Sequence, residues 1–247
     1  AQMFQGETMN SKKSVLFAIE SLTVGGAERV LVNLANQFNH TRWQVHVVCL
    51  AEAGALANDL RKEITLHTLH KKPGFDTRLF YQLHQLIRQI SPDVINAHLW
   101  TANTWLRASN LSSIPIFVTE HSSDHWKPRH YRWIDKILSY KTTRLIAVSQ
   151  NVSDYYQQKV GVSPTIIEVI LNGIDIGAYE KGDRNKLRQE LQLPTTTPLI
   201  GMVGRMVSAK NYPRLVEAIN QVKAVIPEIK CVIAGDGPER PLIEKCI

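Results

Sequence analysis

Short apolar runs alternate with amphipathic segments along most of the chain. Runs rich in Val, Ile and Leu predict buried strands, and apolar residues spaced three and four positions apart predict helices with one buried face. The predicted strands are SVLFAIE, QVHVVCL, ITLHTL, DVINAHL, PIFVTEH, RLIAVS, TIIEVIL, PLIGMVG and KCVIAG. Strands that are buried on both faces and separated by helices are typical of a parallel sheet. The pattern therefore predicts an α/β fold that begins with a doubly wound, Rossmann-like unit.

One polar interruption divides this alternation. Residues 181–197 contain a polar helix candidate and a Pro- and Thr-rich stretch, after which a new cycle of strand and helix begins. We therefore predict a Rossmann-like domain over residues 11–180, a linker over 181–197 and a partial second domain over 198–247. A sheet of two strands buries little surface and leaves open edges, so we expect the chain to be truncated within its second domain. Residues 1–10 show no periodicity and are predicted to be a disordered tag.

Composition and charge are those of a soluble protein. The chain is 44% hydrophobic and 21% charged, and it lacks an apolar run long enough to span a bilayer. The three cysteines are far apart, so we expect free, buried thiols in a reducing compartment. These features predict a cytoplasmic location.

Part of the net charge of +7 lies between Trp126 and Arg144, where Asp135 is the only acid. The cationic and aromatic residues of this segment are Lys127, Arg129, Arg132, Lys136, Lys141, Arg144, Trp126, Tyr131, Trp133 and Tyr140. Such a segment suits the phosphates of anionic lipid or nucleic acid. It is equally typical of a solvated helix face whose aromatic side chains lie in the core. Nucleic acid is the less favoured partner, because no recognition motif accompanies the charge.

Glycine-containing loops follow two of the predicted strands. Gly25 and Gly26 lie in TVGGAE, and Gly235 and Gly237 lie in AGDGPER. The N-terminus of a helix attracts phosphate, and ligands of open α/β sheets bind beyond the carboxyl ends of the strands. The glycines nevertheless lack the spacing of a nicotinamide-binding loop. Taken alone, each loop is interpreted as a structural turn, and only its position relative to the other loops gives it more meaning.

A third loop, GRMVSAKN, adds positive charge. Arg205 follows a predicted strand directly, and Lys210 precedes the next predicted helix. Two cations beside a helix N-terminus would neutralise a diphosphate. The loop lacks the glycine and Gly-Lys-Ser/Thr pattern of a Walker loop. Its position favours phosphate binding over ordinary surface charge.

Histidines mark the end of another predicted strand. Glu120, His121, Asp124 and His125 are close in sequence, but a strand-to-loop position suits a metal site less well than a helix does. We therefore expect no metal here and interpret His121 as a neutral hydrogen-bonding group for a substrate. His98, at a similar place in NAHLW, is interpreted as structural.

In their order and spacing, GGAE, TEH, NGID, GRMVSAKN and AGDGPE resemble the retaining glycosyltransferases of the large family four group, which have the GT-B fold. The resemblance covers nearly all of residues 14–244. It implies two Rossmann-like domains, the second incomplete here, and a UDP- or GDP-linked sugar as donor. It also implies no metal or other cofactor, and a glycan or lipid-linked acceptor bound by the N-terminal domain. Similar enzymes extend cell-envelope glycans at the inner face of a membrane. The basic segment would then be a peripheral contact with anionic lipid.

By position, the resemblance also implies roles for individual residues. Arg205 and Lys210 would bind the donor diphosphate, and His121 would lie near the transferred sugar. The remaining donor-site positions are the loop glycines Gly25, Gly26, Gly235 and Gly237. The family's second domain continues beyond the GDGP turn to a Glu-x7-Glu motif that this sequence lacks. We therefore expect the chain to be incomplete for catalysis, and the alternative is a non-catalytic module that binds acceptor or membrane.

Overall fold

The computed structural model describes residues 12–123, 125, 127–180, 182–183 and 185–246. The predicted tag, residues 1–10, lies outside the described residues. The chain divides into two compact units, one ending at Ile174 and the other beginning at Asp175. Each unit has its own sheet and its own core.

The described part of the first unit is a parallel sheet whose strands alternate with helices. Its elements are β1 (Lys13–Ile19), α1 (Gly26–Gln37), β2 (Trp43–Cys49), β3 (Thr65–Thr68), α2 (Thr77–Ile90), β4 (Val94–His98), α3 (Leu99–Ser109), β5 (Ile116–Glu120), α4 (Arg129–Ser139), β6 (Arg144–Ala147), α5 (Gln150–Tyr155) and β7 (Ile167–Val169). A π-helical turn over Tyr156–Val160 extends α5. The strand order is β3-β2-β1-β4-β5-β6-β7. The order changes direction between β1 and β4, and ligands of open α/β sheets bind beyond the carboxyl ends of strands at such a point.

Both faces of this sheet are buried, which explains the continuous apolar runs. Successive side chains of a strand point to opposite faces. Val15, Phe17 and Ile19 pack in one core with the apolar face of α1. Leu16 and Ala18 belong to the other core, which includes α2 and α3. The prediction of an α/β fold with a parallel sheet is confirmed.

The second unit is smaller. Its described elements are α6 (Gly177–Glu180), α7 (Lys186–Glu190), β8 (Leu199–Val203), α8 (Tyr212–Lys223), β9 (Lys230–Ala234) and α9 (Arg240–Cys246). The strands β8 and β9 pair in parallel. Met206, Tyr212 and Ile243 form the buried core, and Met202 and Ile233 pack against it.

Two details differ from the sequence-based expectations. Helix α3 begins at Leu99 rather than near Ala102, because Leu99 adopts a left-handed conformation with φ of 66° and the strand turns directly into the helix. Of the three cysteines, all free, Cys49 is buried, but Cys231 is half-buried and Cys246 is exposed. The expectation of three buried thiols is therefore wrong for these two, since the second unit has only a small core.

Candidate functional site

The loop between β1 and α1 contains Gly25 and Gly26. Gly25 is extended, with φ of −167° and ψ of 166°, so its backbone does not require glycine. A Cβ atom on Gly25 would collide with the Glu28 carboxylate, whereas a Cβ atom on Gly26 would meet open space. No side chain of the described residues caps the N-terminus of helix α1. The glycines therefore keep this helix end accessible, although the Glu28 carboxylate already lies beside it, where it interacts favourably with the helix dipole.

Two histidines meet at the carboxyl ends of β4 and β5. The Nδ1 atom of His98 lies 3.0 Å from the Nε2 atom of His121, and their rings stack with centroids 5.2 Å apart. Burial lowers the pKa of His121 to about 4. Burial, followed by the neighbouring His121, lowers the pKa of His98 well below its usual value. Both imidazoles are therefore neutral at pH 7.

Further polar contacts at this edge involve Glu120, considered above only as a metal ligand, and three residues that are absent from the predicted site. The Thr101 hydroxyl donates to a Glu20 carboxylate oxygen at 3.0 Å. The Asn103 amide donates to the Glu120 carboxylate at 2.7 Å. Glu20 ends a predicted strand and Glu120 is the last residue but one of another, and a charged residue at such a position is the sequence signal that could have identified Glu20. These contacts connect the ends of β1 and β5 to α3.

The candidate metal ligands fall only partly within the described residues. Asp124 lies outside them. Among the residues that are described, no group of three or more His, Cys, Asp or Glu side chains is placed to hold a metal ion. The expectation of a metal-free site therefore stays a prediction.

In the second unit, Arg205 and Lys210 lie on the loop that connects β8 to α8. Both are exposed. The Lys210 Cε atom lies 4.0 Å from the position that a Cβ atom on Gly204 would occupy, so the lysine side chain runs beside the residue that precedes Arg205. The Tyr212 hydroxyl donates to the Gly204 carbonyl at 2.7 Å and ties the loop to the start of α8. Among the described residues, neither cationic side chain has a hydrogen-bonding or ion-pair partner.

The loop after β9 packs against this cationic loop through its backbone. The Met206 amide donates to the Asp236 carbonyl at 2.8 Å, and the Glu239 amide donates to the Met206 carbonyl at 3.1 Å. A Cβ atom on Gly235 would collide with the Gly204 carbonyl, and one on Gly237 would collide with the Met206 carbonyl. Gly235 and Gly237 therefore have a packing role, and their contact with a donor stays a prediction.

The basic segment, residues 126–144, matches neither sequence interpretation fully: neither a phosphate-binding segment nor a solvated helix face with its aromatic side chains in the core. Trp126 lies outside the described residues. Trp133 is 66% exposed and Tyr140 is 88% exposed, so the interpretation that places their rings in the core is wrong for both. Tyr131 is half-buried and stacks on Trp100 with centroids 4.2 Å apart.

Lys127 is not available for phosphate binding, which corrects the other interpretation at this position. It is buried, and its Nζ atom lies 3.2 Å from a carboxylate oxygen of Asp135 and 2.9 Å from the Tyr156 hydroxyl. Arg107, also buried, binds the other Asp135 oxygen at 2.9 Å. The only acid of the segment is thus the centre of a buried ion cluster, because two buried cations need a negative partner.

Known glycosyltransferases are similar to this chain in sequence. A Campylobacter jejuni protein named GalNAc-alpha-(1->4)-GalNAc-alpha-(1->3)-diNAcBac-PP-undecaprenol alpha-1,4-N-acetyl-D-galactosaminyltransferase is 25% identical over 93% of this chain and 63% of its own length. An Escherichia coli protein named UDP-Gal:alpha-D-GlcNAc-diphosphoundecaprenol alpha-1,3-galactosyltransferase is 25% identical over 87% of this chain and 59% of its own length. The chain thus spans about six tenths of the length of these relatives.

Solved structures share the fold. Anabaena HepE, solved with UDP and glucose, superposes with a TM-score of 0.77 at 23% identity over 94% of this chain and 64% of its own. The fold is therefore of the GT-B type, as the resemblance implied. The sequence profile of Glycosyltransferase Family 4 matches residues 24–177, and that of Glycosyl transferases group 1 matches residues 183–247. The chain therefore belongs to Glycosyltransferase Family 4.

Proposed function

We propose that the chain belongs to an enzyme that transfers a hexose, with retention, from a UDP- or GDP-sugar to a lipid-linked or polysaccharide acceptor in cell-envelope glycan synthesis. The observation that carries the proposal is the pair of exposed cations, Arg205 and Lys210, on the loop leading into α8. The names of the relatives support it, since two of them specify acceptors linked to undecaprenol by diphosphate. The UDP bound to HepE supports the nucleotide part.

The chemistry of transfer explains why two cations suit this loop. Breaking the bond between sugar and diphosphate builds negative charge on the leaving diphosphate. Cations held beside those oxygens stabilise the charge without a metal ion. Arg205 and Lys210 would supply this stabilisation, while neutral His121 would hydrogen-bond the transferred sugar. The proposal includes no metal and no further cofactor.

Calorimetric titration of the 247-residue chain with UDP- and GDP-sugars tests the donor site. We expect one nucleotide class to bind, and Arg205→Ala or Lys210→Ala to remove about 1.5 to 3 kcal/mol of charge-assisted hydrogen bonding. That loss corresponds to a tenfold to hundredfold weaker Kd, taking about 1.4 kcal/mol per factor of ten. Lys223→Ala is the matched control, because Lys223 is an exposed lysine at the other end of α8, about 16 Å along the helix.

Two results would contradict the donor site. One is the absence of heat with every nucleotide sugar, which would favour the non-catalytic alternative for this chain. The other is an equal loss of affinity in the Lys223 variant, which would assign the effect to general charge rather than to the loop.

A second function, docking on an anionic membrane, is favoured by α4. Trp133, Ile137 and the C-cap residue Tyr140 are exposed and are spaced three or four residues apart, which places them on one face of α4 and its C-terminal end. Exposed Arg129 and Lys136 belong to the same stretch. Exposed aromatic and cationic residues on one helix suit a negatively charged lipid surface. We propose peripheral attachment through this face at a cytoplasmic membrane surface. Among the described residues, no helix is long and apolar enough to cross a bilayer.

Co-sedimentation with vesicles tests the docking proposal. We expect the chain to bind vesicles containing phosphatidylglycerol, and the double variant Trp133→Ala/Tyr140→Ala to bind severalfold less. Tyr81→Ala is the control, because Tyr81 is 62% exposed on α2. Equal binding to vesicles of phosphatidylcholine alone, or equal binding by the double variant, would contradict docking through α4. Salt-sensitive binding to RNA in place of vesicles would favour nucleic acid instead.

A further inference from the structure

The contact between His98 and His121 restricts the position of the imidazole protons. Both rings are neutral at pH 7, so each carries one proton on one of its two ring nitrogens. The 3.0 Å distance between Nδ1 of His98 and Nε2 of His121 is that of a hydrogen bond. One of the two nitrogens therefore donates and the other accepts.

Each direction of this hydrogen bond fixes both rings. If His98 donates, it carries its proton on Nδ1, and His121 must also carry its proton on Nδ1 because its Nε2 accepts. If His121 donates, both residues carry the proton on Nε2. The two rings therefore share one tautomer, whichever it is.

The surroundings of His98 distinguish the two cases. His98 is fully buried, and its Nε2 atom has no hydrogen-bond partner among the described residues. If His121 donated, that atom would be a buried N–H without an acceptor. Among backbone groups, orphaned buried N–H groups are rarer than under-satisfied carbonyls, and the same order applied to imidazole nitrogens favours donation by His98. We infer that His98 is a positioning residue that donates from Nδ1 to His121 and so holds His121 as a neutral Nδ1–H donor.

With this assignment, the buried His98 determines which nitrogen of His121 is available to a ligand. His121 is only partly buried, and its Nδ1 atom has no hydrogen-bond partner among the described residues. The Nδ1–H group can therefore donate to an oxygen of a bound ligand. That this ligand is a sugar hydroxyl or a phosphate rests on the proposed function, whereas the proton positions do not.

Nitrogen-15 NMR of the chain with labelled histidine tests the inference without any ligand. Long-range proton–nitrogen correlations distinguish a protonated from an unprotonated ring nitrogen. We expect both His98 and His121 to show a protonated Nδ1 and an unprotonated Nε2 at pH 7.5. Protonated Nε2 atoms on both residues would overturn the inference. Because no nucleotide sugar is present, failure here is distinguishable from failure of the proposed donor site.

Two variants test whether His98 holds the His121 tautomer. Asparagine at position 98 keeps an amide N–H near the position of Nδ1, so we expect His98→Asn to retain the wild-type His121 signals. His98→Phe removes the donor, and a population of His121 protonated on Nε2 should appear. The His46 and His67 rings, 3.1 Å apart between Nδ1 and Nε2 on β2 and β3, should not change in either variant. Unchanged His121 signals in His98→Phe would contradict the positioning role, and if that variant does not fold, the wild-type spectrum and His98→Asn decide.

Discussion

At the scale of single residues, glycines that look equivalent in the sequence occupy their positions for different physical reasons. Gly235 must be glycine because a Cβ atom there would collide with the Gly204 carbonyl, whereas a Cβ atom on Gly201 would meet no atom of the described residues within 4 Å. Gly25 is extended and is limited only by the Glu28 side chain. No sequence pattern could separate these cases, because the contact of Gly235 is with a loop far away in the chain. The position of Gly235 after a predicted strand correctly indicated a loop. It did not indicate the role of the glycine in that loop.

A matched pair of glycine substitutions tests this distinction. Gly235→Ala should lower the free energy of unfolding of the second unit by about 1 to 3 kcal/mol, because the added methyl forces two backbone loops apart. Gly201→Ala, in β8 of the same unit, should change it by less than about 0.5 kcal/mol. Urea denaturation followed by circular dichroism measures both. Equal stability of the two variants would contradict the packing role of Gly235.

At the scale of elements, buried ion pairs join helices whose contact the apolar pattern of the sequence does not predict. Arg107 of α3 and Lys127, which precedes α4, both contact Asp135 of α4. Lys127 also reaches Tyr156 of the π-helical turn. The sequence showed a basic segment with a single acid but could not show which cations are buried. Periodicity indicates that a helix has two faces, and only packing decides that Trp133 and Tyr140 point to solvent.

Removing the shared carboxylate should therefore be costly. Asp135→Asn leaves Arg107 and Lys127 buried without their negative partner and should destabilise the chain by about 3 to 5 kcal/mol. Asp59→Asn is the control, because its ion pair with Arg29 lies at the surface and should contribute less than about 1 kcal/mol. Chemical denaturation at pH 7.5 measures both variants. Comparable effects would show that the cluster behaves as an ordinary surface ion pair.

At the scale of the whole molecule, histidines whose pKa is lowered by full or partial burial make stability depend on pH. Unfolded imidazoles bind protons near pH 6.5, whereas folded His121 does so only near pH 4, so the unfolded state binds more protons between these values. The contribution of neutral His121 to the stability of the folded chain is present above pH 6.5 and is lost as the pH falls toward 4. The pKa values of His46, His67 and His98 are lowered as well, so they act in the same direction.

Melting temperatures at pH 7.5 and pH 5 test this dependence. His121→Gln should show a smaller decrease between the two pH values than the wild-type chain, because it no longer has this histidine to protonate on unfolding. His130→Gln, at an exposed position of α4, should behave as the wild type. An unchanged decrease in His121→Gln would contradict the neutral state of His121 in the folded chain.

The sequence predicted the α/β fold and the order of strands and helices because buried parallel strands and amphipathic helices each have a clear periodicity. It predicted that Arg205 and Lys210 lie on a loop between a strand and a helix, as they do, whereas their contact with a donor stays a prediction. It could not predict the contact of His98 with His121, since that pair depends on the register in which β4 lies beside β5. The interpretation of His98 as merely structural did not anticipate this contact.

The central claim is that the loop carrying Arg205 and Lys210 binds the diphosphate of a nucleotide sugar. Phosphorus-31 NMR of UDP-glucose or GDP-mannose during titration with the chain observes those phosphorus atoms directly. The account predicts that both resonances of the bound nucleotide sugar shift or broaden, that Arg205→Ala/Lys210→Ala abolishes the change, and that Lys223→Ala preserves it. Resonances that change equally with the double variant would show that the diphosphate binds elsewhere and would contradict the claim.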